Sequence, residues 1–269
     1  MALGINTNPT ALGTAQTINS TFNRLRRVHE QLSSGLRINR ARDDAAGLAI
    51  AEGFRSSVLQ RNQEVENLQS GVSAIQTAEG ALSAQSEGIG RLRELAVQAS
   101  NGILNDDQRA AINAEAQQII EHIDATSNQA TFNGVDLLGA EAGTVPLGTE
   151  AGTEVTFEES TANSLGVGGV DLSTAGGAAA AIETLDAAGT QIVQNRANLG
   201  AQQNRLEFGV SEREIEAENA AAAESRIRDL DVARAAIERT RGEVLGQAGI
   251  AALVQSNIVP QTAARLLGG

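Results

Sequence analysis

The chain has 269 residues, a formal net charge of −13, 2% aromatic residues and no Cys, Trp or Tyr. Without Cys it can form no disulfide, thiolate metal site or thiol nucleophile, and without Lys it has no phosphate-binding loop of the Walker type. The acidic balance and the few aromatic rings exclude a general nucleic-acid binder. The sequence contains no window of about 20 apolar residues that would predict a membrane span, and residues 1–16 lack the pattern of a secretory signal.

The first predicted element is a helix in the N-terminal forty residues. Its apolar residues recur at intervals of 4, 3, 7 and 4, which places them on one helix face: Ile18, Phe22, Leu25, Leu32 and Leu36. The polar residues at its start, 4–19, bury little apolar surface by themselves, so we expect them to order on association with a partner.

A much longer helix is predicted next, from about Asp44 to Ser100. Apolar residues follow a coiled-coil-like stripe along it, and at 1.5 Å per residue its length is roughly 85 Å. The pair Asn101-Gly102 is predicted to cap its end.

A third helix is predicted to begin at Asp106 or Asp107, whose carboxylates suit a helix N-terminus, and to end near Ser127.

The segment 139–177 differs in composition from both flanks. It holds nine of the 28 Gly, six acidic residues and no Arg. Residues 152–157 alternate as a strand does, and residues 165–170 are typical of a turn or an irregular strand. We expect a short β-hairpin between two helical arms, and a flexible linker is the alternative.

The C-terminal third returns to helical spacing, and residues from about Ala178 to Leu253 contain no Pro and much Ala, the best helix former. Apolar residues recur there at intervals of mostly seven: Leu185, Ile192, Leu199 and Leu206, then Ile227, Leu230, Ile237 and Val244. The last residues are too apolar for a solvated tail and need a partner: Ile250, Leu253, Val254, Ile258, Leu266 and Leu267.

Charge is divided unevenly along the chain. Residues 1–61 hold eight Arg and four acidic residues, whereas residues 62–195 hold three Arg and 19 acidic residues. The pattern fits either an ordinary solvated surface or complementary surfaces within or between subunits.

The sequence offers few groups for catalysis. His29 and His122 are the only histidines, and His29-Glu30 has Ser33 where a zinc-binding helix needs a second His. The acidic pairs Asp43-Asp44 and Asp106-Asp107 are more simply residues that favour helix starts than cation ligands. We therefore predict no catalytic, cofactor or metal site.

These elements predict a mainly α fold. Two helical arms from opposite ends of the chain bury their stripes against each other, which makes a long antiparallel coiled-coil bundle with a short β-hairpin and the chain termini side by side. A bundle with apolar ends that need partners is typical of a subunit of an assembly.

Several motifs, in order, resemble bacterial flagellin. On the N-terminal side they are QLSSGLRIN at 31–39, ARDDAAGLAI at 41–50, RLRELAVQ at 91–98 and FNG at 132–134. On the C-terminal side they are LGAQQNRL at 199–206, SRIRD at 225–229 and QAG at 247–249. The resemblance covers about residues 1–140 and 178–269.

The resemblance implies a secreted subunit that polymerises into the extracellular filament of the bacterial flagellum, after type III export. It implies an N-terminal inner-core helix and spoke at 1–43, outer-core helices at 44–138, the exposed hairpin at 139–177, a C-terminal outer-core helix at 178–225 and a C-terminal inner-core helix at 226–269. The chain is similar to a minimal flagellin without outer globular domains.

The resemblance also implies partners. The chain itself is the first, as a helical homopolymer, through a polymerisation core of Ile18, Phe22, Leu25, Leu32, Leu36, Ile237, Val244, Ile250, Leu253, Val254 and Ile258. A filament cap, hook-junction proteins and an export chaperone follow, with Leu266 and Leu267 as candidate chaperone contacts. A host Toll-like receptor is implied at Arg91, Leu95 and Glu115, with weaker detection because Ile119 stands where Arg is common.

Two other structural readings remain at this stage. A hook–filament junction protein shares the terminal core but usually has a larger middle. A chemoreceptor-like signalling hairpin is also long, acidic and rich in Ala, but it lacks a Gly-rich β segment.

Overall fold

A computed structural model describes residues 7–148 and 153–267; of the side chains beyond Ile258, it describes only that of Thr262. Five helices and four short strands follow one another in this part of the chain. They are α1 (Pro9–Ser34), α2 (Ala45–Ala99), α3 (Asp106–Gln129), β1 (Thr131–Phe132), β2 (Val135–Asp136), β3 (Thr144–Pro146), β4 (Glu154–Thr156), α4 (Ala175–Arg228) and α5 (Val232–Leu267). The mainly α class with a short antiparallel hairpin is confirmed, and α2 matches its predicted bounds within one residue.

The chain divides into two compact units. Unit 1 comprises residues 1–58 and 218–269, and unit 2 comprises residues 59–217. The helices α2 and α4 contribute residues to both.

In unit 1, α1 and α5 pack against each other as an antiparallel pair. Asn8 caps α1 by accepting a hydrogen bond from the backbone N–H of Ala11, and its Nδ2 donates to the carbonyl of Ser256 at 2.9 Å. Farther along, Gly249 lies against Ile18 and Gly242 lies against Leu25. Within the described residues, the start of α1 therefore lies beside α5, in agreement with the predicted pairing of the two terminal arms.

Small residues on α5 allow this close packing. A Cβ placed on Gly249 would lie 2.8 Å from Cγ1 of Ile18, and one on Gly242 would lie 3.3 Å from Cδ1 of Leu25. The partner of residues 9–19 is thus the C-terminal helix of the same chain.

The connections after α1 and α4 lie together in unit 1. Gly35, with φ of 73°, ends α1, and its carbonyl accepts a hydrogen bond from the N–H of Leu230 at 3.0 Å. The N–H of Arg37 donates to the carbonyl of Arg228 at 2.7 Å. The break at residues 229–231 divides what the sequence suggests is one Pro-free run, and Asp231 caps the start of α5 by accepting from the N–H of Arg234. Beyond it, α5 runs through Pro260 to Leu267.

In unit 2, α2 and α4 run antiparallel and are joined by ion pairs along their length. Arg61 contacts Glu216, Arg213 contacts Glu64, Arg196 contacts Glu79 and Arg93 contacts Asp186. Helix α3 and the segment before α4 complete a core of aliphatic side chains: Leu68, Ile75, Leu82, Ile89, Leu92, Leu95, Ile120, Ile123, Leu137, Leu138, Leu172, Leu185, Ile192 and Leu199.

The turn between α2 and α3 differs from its prediction. Helix α2 ends at Ala99, and Gly102 does not have the left-handed φ that a glycine cap uses. Instead, the buried guanidinium of Arg109 donates hydrogen bonds to the carbonyls of Ala99, Leu104 and Asn101. The predicted Asn101-Gly102 cap is wrong because a side chain from the next helix satisfies these carbonyls.

The hairpin of β3 and β4 is present, and the linker alternative is not what the structure shows. Val145 pairs with Val155, and α4 anchors the hairpin because Gln202 exchanges two hydrogen bonds with the backbone of Thr156. A second hairpin, β1–β2, which the sequence analysis did not predict, turns at Asn133-Gly134, where both residues have positive φ.

The prediction that residues 139–177 are an exposed segment is wrong for much of its length. Seven apolar residues there are buried: Val155, Phe157, Ala162, Leu165, Val167, Val170 and Leu172. They cover the core of unit 2, which a Gly-rich composition alone does not reveal.

A buried polar cluster holds this covering segment in place. Nε2 of Gln85 donates to Oγ of Ser127 at 2.7 Å and to the carbonyl of Ser160 at 3.0 Å. In return, Oγ of Ser160 donates to Oε1 of Gln85 at 2.7 Å. The cluster therefore joins α2, α3 and the covering segment through three fully buried residues.

Candidate assembly surface

Helix α5 exposes large apolar side chains on the face that α1 does not cover. Ile237 is 70% exposed and Val244 is 59% exposed, although both are aliphatic. Between them lies a shallow groove of about 540 Å³ lined by Ala236, Ile237, Thr240, Arg241, Val244 and Leu245. Farther along the helix, Ile250, Val254 and Ile258 are also exposed. Exposed apolar rows of this kind mark surfaces that bind another protein.

The predicted polymerisation core therefore divides into two groups. Ile18 is buried against Gly249 within the chain, and Leu25, Leu32, Leu36 and Leu253 are half-buried. Phe22, Ile237, Val244, Ile250, Val254 and Ile258 are exposed. Ile18 and Leu25 pack against glycines of α5, whereas the five α5 residues of the second group remain exposed; Phe22 is 40% exposed and also lies against Gly246.

The sequence analysis missed two further exposed apolar residues of the α1–α5 pair. Leu12 on α1 and Leu245 on α5 are large, apolar and exposed. Their positions alone do not distinguish them from core residues, because a helix that packs on one side shows the same apolar period as one that packs on two.

The residues proposed for receptor recognition lie on α2 and α3. Nη2 of Arg91 lies 2.8 Å from Oε1 of Glu115, and its Nη1 lies 3.0 Å from Oε2 of Glu94. Hydrogen bonds to Glu115, then to Glu94, raise the pKa of Arg91 above its ordinary value, so its charge is fixed. Arg91 and Glu115 are both about half exposed.

Leu95 does not share this surface. Its side chain is 2% exposed and belongs to the core of unit 2. The expectation that Leu95 contacts a receptor is wrong for the described chain, because the side chain has almost no accessible surface.

The structure places the remaining candidates as follows. His29 and His122 are exposed on α1 and α3, and within residues 7–148 and 153–267 no three His, Asp or Glu side chains come together as metal ligands. Over the same residues, no helix is both long enough and apolar enough for a membrane span. Leu266 and Leu267 lie in the last turn of α5, and their side chains are outside the described part.

Comparison with protein families decides the identity of the fold. Residues 5–142 match the bacterial flagellin N-terminal helical region, and residues 182–267 match the bacterial flagellin C-terminal helical region. The chain belongs to the bacterial flagellin family.

Relatives extend this result over nearly the whole chain. A flagellin of Halalkalibacterium halodurans is 40% identical over 98% of this chain and 99% of its own length. A flagellar filament 33 kDa core protein of Treponema phagedenis is 39% identical with the same coverage.

Solved structures show the same architecture. A flagellin of Bacillus cereus has a TM-score of 0.50 and 29% identity, covering 55% of this chain and 88% of that one. A putative flagellar hook-associated protein of Vibrio parahaemolyticus has a TM-score of 0.55 at 14% identity, covering 70% of this chain and all of its own, which shows the fold alone.

This flagellin is a structural subunit of the extracellular flagellar filament, and its principal partner is another copy of itself. The full-length relatives support a filament subunit rather than a junction protein or a signalling hairpin.

Proposed function

We propose that the face of α5 that α1 leaves uncovered is the surface through which this flagellin contacts neighbouring copies in the filament. The observation that carries the proposal is the row of exposed aliphatic side chains on α5, which the pairing with α1 leaves uncovered. Burial of such side chains contributes about 1.5–3 kcal/mol each, which is ample for a repeated contact. The copies add head to tail, so the contact joins two different surfaces and the polymer stays open.

A matched pair of substitutions tests this role. Val244→Asp places a charge in the exposed apolar row of α5, whereas Gln98→Asp places the same charge at an exposed polar position on α2. We expect the Val244 variant to form no filaments from seeds and the Gln98 variant to elongate like the wild type, as seen by negative-stain electron microscopy. Equal loss in both variants would mean that added charge, not lost apolar contact, stops assembly.

The finer partners rest on the family resemblance and on the exposed ends. We expect a filament cap, hook-junction proteins and an export chaperone to bind the terminal helices, with Leu266 and Leu267 as chaperone contacts. We also expect the protein to act as a structural subunit rather than as an enzyme.

Replacing Leu266 and Leu267 together by Asp should reduce export, and unchanged export would exclude them as chaperone contacts.

Recognition by a host Toll-like receptor is proposed at Arg91 and Glu115. What supports it is their exposed, paired geometry together with the motif at 91–98. Arg93 is a matched control because it is also on α2, more than half exposed and paired with an acid, Asp186. We expect Arg91→Ala to lower the receptor-reporter signal and Arg93→Ala to leave it unchanged. Equal signals from Arg91→Ala and wild type would remove Arg91 from the site.

A further inference from the structure

The two units of the chain carry opposite net charge. Unit 1 holds 13 Arg and 10 acidic residues, whereas unit 2 holds seven Arg and 23 acidic residues. In a polymer of identical chains, a basic surface on unit 1 can meet an acidic surface on unit 2 of another copy, which favours one register and speeds encounter.

Three of the arginines of unit 1 line one cleft. A cleft of about 690 Å³ lies beside α1, and we call it the arginine cleft; its lining residues are Ser20, Asn23, Arg26, Arg27, Glu30, Arg42 and Asp43. A smaller hollow of about 440 Å³ shares Arg27 and Arg42 with it. The cleft thus presents three guanidinium groups on a rigid helix and the connection that follows it.

The two acids that line the cleft, Glu30 and Asp43, both lie near Arg42, and this leaves the charges of Arg26 and Arg27 for another partner. Glu30 already pairs with Arg40 at 2.6 Å and with Arg42 at 3.5 Å, and Asp43 lies 3.8 Å from Arg42. Arg26 donates to the amide oxygen of Asn23, a neutral partner. Among the residues that the structure describes, neither Arg26 nor Arg27 has an ion pair.

A complementary strip lies on α4 in unit 2. Three exposed carboxylates, Glu207, Glu212 and Glu214, occur there within eight residues, and none makes an ion pair within the described ranges. Phe208 is 76% exposed and Ile215 is 56% exposed, and together with Glu212 they follow the 4 and 3 spacing of one helix face. We call these five residues the acidic strip.

We propose that the arginine cleft of one copy binds the acidic strip of a neighbouring copy. Guanidinium groups pair with carboxylates through two parallel hydrogen bonds, and Phe22, exposed one turn before Arg26, offers apolar surface to Phe208 and Ile215. The contact is separate from the apolar row of α5, and it rests on the proposed assembly because it operates only between copies.

Charge reversal and charge exchange test the contact. The cleft variant is Arg26→Glu with Arg27→Glu, and the strip variant is Glu207→Arg with Glu214→Arg. Each homopolymer then faces like charges at every such contact, so we expect the critical concentration for seeded assembly to rise by about tenfold or more. The variant with all four changes restores opposite charges and should return to within about threefold of the wild type.

The control carries the same change of charge elsewhere in unit 1. Arg55→Glu with Arg234→Glu reverses two exposed arginines that do not line the cleft, and we expect its critical concentration to stay near that of the wild type. Circular dichroism of each monomer establishes that the helices form.

The proposal is overturned if the cleft variant assembles like the wild type. It is also overturned if the variant with all four changes assembles no better than the cleft variant and the strip variant. The wild-type chain in the same series reports on assembly itself, so failure of this contact is distinguishable from failure of the proposed function.

Discussion

Gln85 shows how one buried polar side chain fixes the position of a whole segment. It lies on α2 within an aliphatic core, and its amide exchanges hydrogen bonds with Ser160 while also donating to Ser127. A buried amide with satisfied partners contributes little net free energy, but removing it leaves the partners unpaired. The cluster therefore selects one placement of the covering segment over others.

We expect Gln85→Leu to lower the free energy of unfolding of unit 2 by about 2 kcal/mol, because the hydroxyl of Ser160 loses its acceptor in the core. Urea unfolding followed by circular dichroism measures this. Gln98→Leu, at an exposed position on the same helix, should change stability by less than about 0.5 kcal/mol. Similar losses in both variants would show that helix α2, not the cluster, responds.

Glu64 gives unit 2 a pH dependence. Burial raises the pKa of Glu64, but the hydrogen bonds from Arg61 and Gln60 and the charges of Arg61 and Arg213 outweigh it, so the net pKa is below the ordinary 4.5. Arg61 and Arg213 each pair with both Glu64 and Glu216, which closes a four-membered ring of ion pairs.

Since the folded pKa is depressed, the stability from Glu64 is fully present above pH 4.5 and is lost as pH falls toward and through the folded pKa. We expect Glu64→Gln to be less stable than wild type at pH 7, with a difference that narrows below pH 4.5. Urea midpoints between pH 3 and 7 measure this, with Glu121→Gln, exposed on α3, as the control. A difference independent of pH would contradict the role of the Glu64 charge.

At the scale of the elements, the pairing of α1 with α5 depends on close approach. Gly249, Gly246 and Gly242 lie against Ile18, Phe22 and Leu25 in turn, so the helices meet backbone to side chain rather than side chain to side chain. An added methyl group at Gly249 would lie 2.8 Å from Cγ1 of Ile18, closer than carbon atoms normally approach.

Ala replacements at two helical glycines of unit 1 separate packing from helix propensity. At Gly53, where an added Cβ meets no atom within 4 Å, Ala should stabilise by about 1 kcal/mol because it favours the helix. At Gly249 we expect the overlap with Ile18 to cancel this gain and to lower stability by about 1 kcal/mol or more. Thermal unfolding measures both. A stabilised Gly249 variant would show that the α1–α5 pair can accommodate an added methyl group at this position.

The helices were predictable from the chain because their signals are local. The long apolar stripe of α2, the acidic start of α3 and the absence of Pro from the long C-terminal run act within a few turns. The role of Arg109 at the α2–α3 turn and the burial of residues 155–172 were not predictable. Each depends on groups distant in sequence or on an irregular backbone. The same holds for Leu95, whose apolar side chain fits both a core and a contact surface.

At the scale of the whole molecule, the two units differ in how much core they contain. Among the described residues, unit 1 has few buried apolar side chains: Ile18, Val28, Ile38, Ala51 and Ala235. Unit 2 contains the large aliphatic cluster that α2, α3, α4 and the covering segment build. We therefore expect the stability of unit 1 to depend more on contacts with other copies than that of unit 2.

Deleting residues 250–269 should prevent polymerisation and leave unit 2 folded. The deletion removes Ile250, Val254 and Ile258 from the exposed row and removes the carbonyl of Ser256 that Asn8 contacts. We expect no filaments from seeds in negative-stain images, with the circular dichroism of the helical bundle mostly retained. Normal filaments from the truncated chain would show that the end of α5 is dispensable.

The hairpin β3–β4 also determines where this chain can carry cargo. Because Pro146 and Glu154 are paired across the two strands, the ends of the segment between them already lie next to each other. A foreign peptide or a small folded module whose own ends are close could be spliced there, since each doubling of loop length costs only about 0.6 kcal/mol. Gln202 and Arg205 of α4 hydrogen-bond to the backbone of β4, so an insertion between the two strands would leave these hydrogen bonds in place. A subunit repeated along a filament would then become a dense, regular display scaffold.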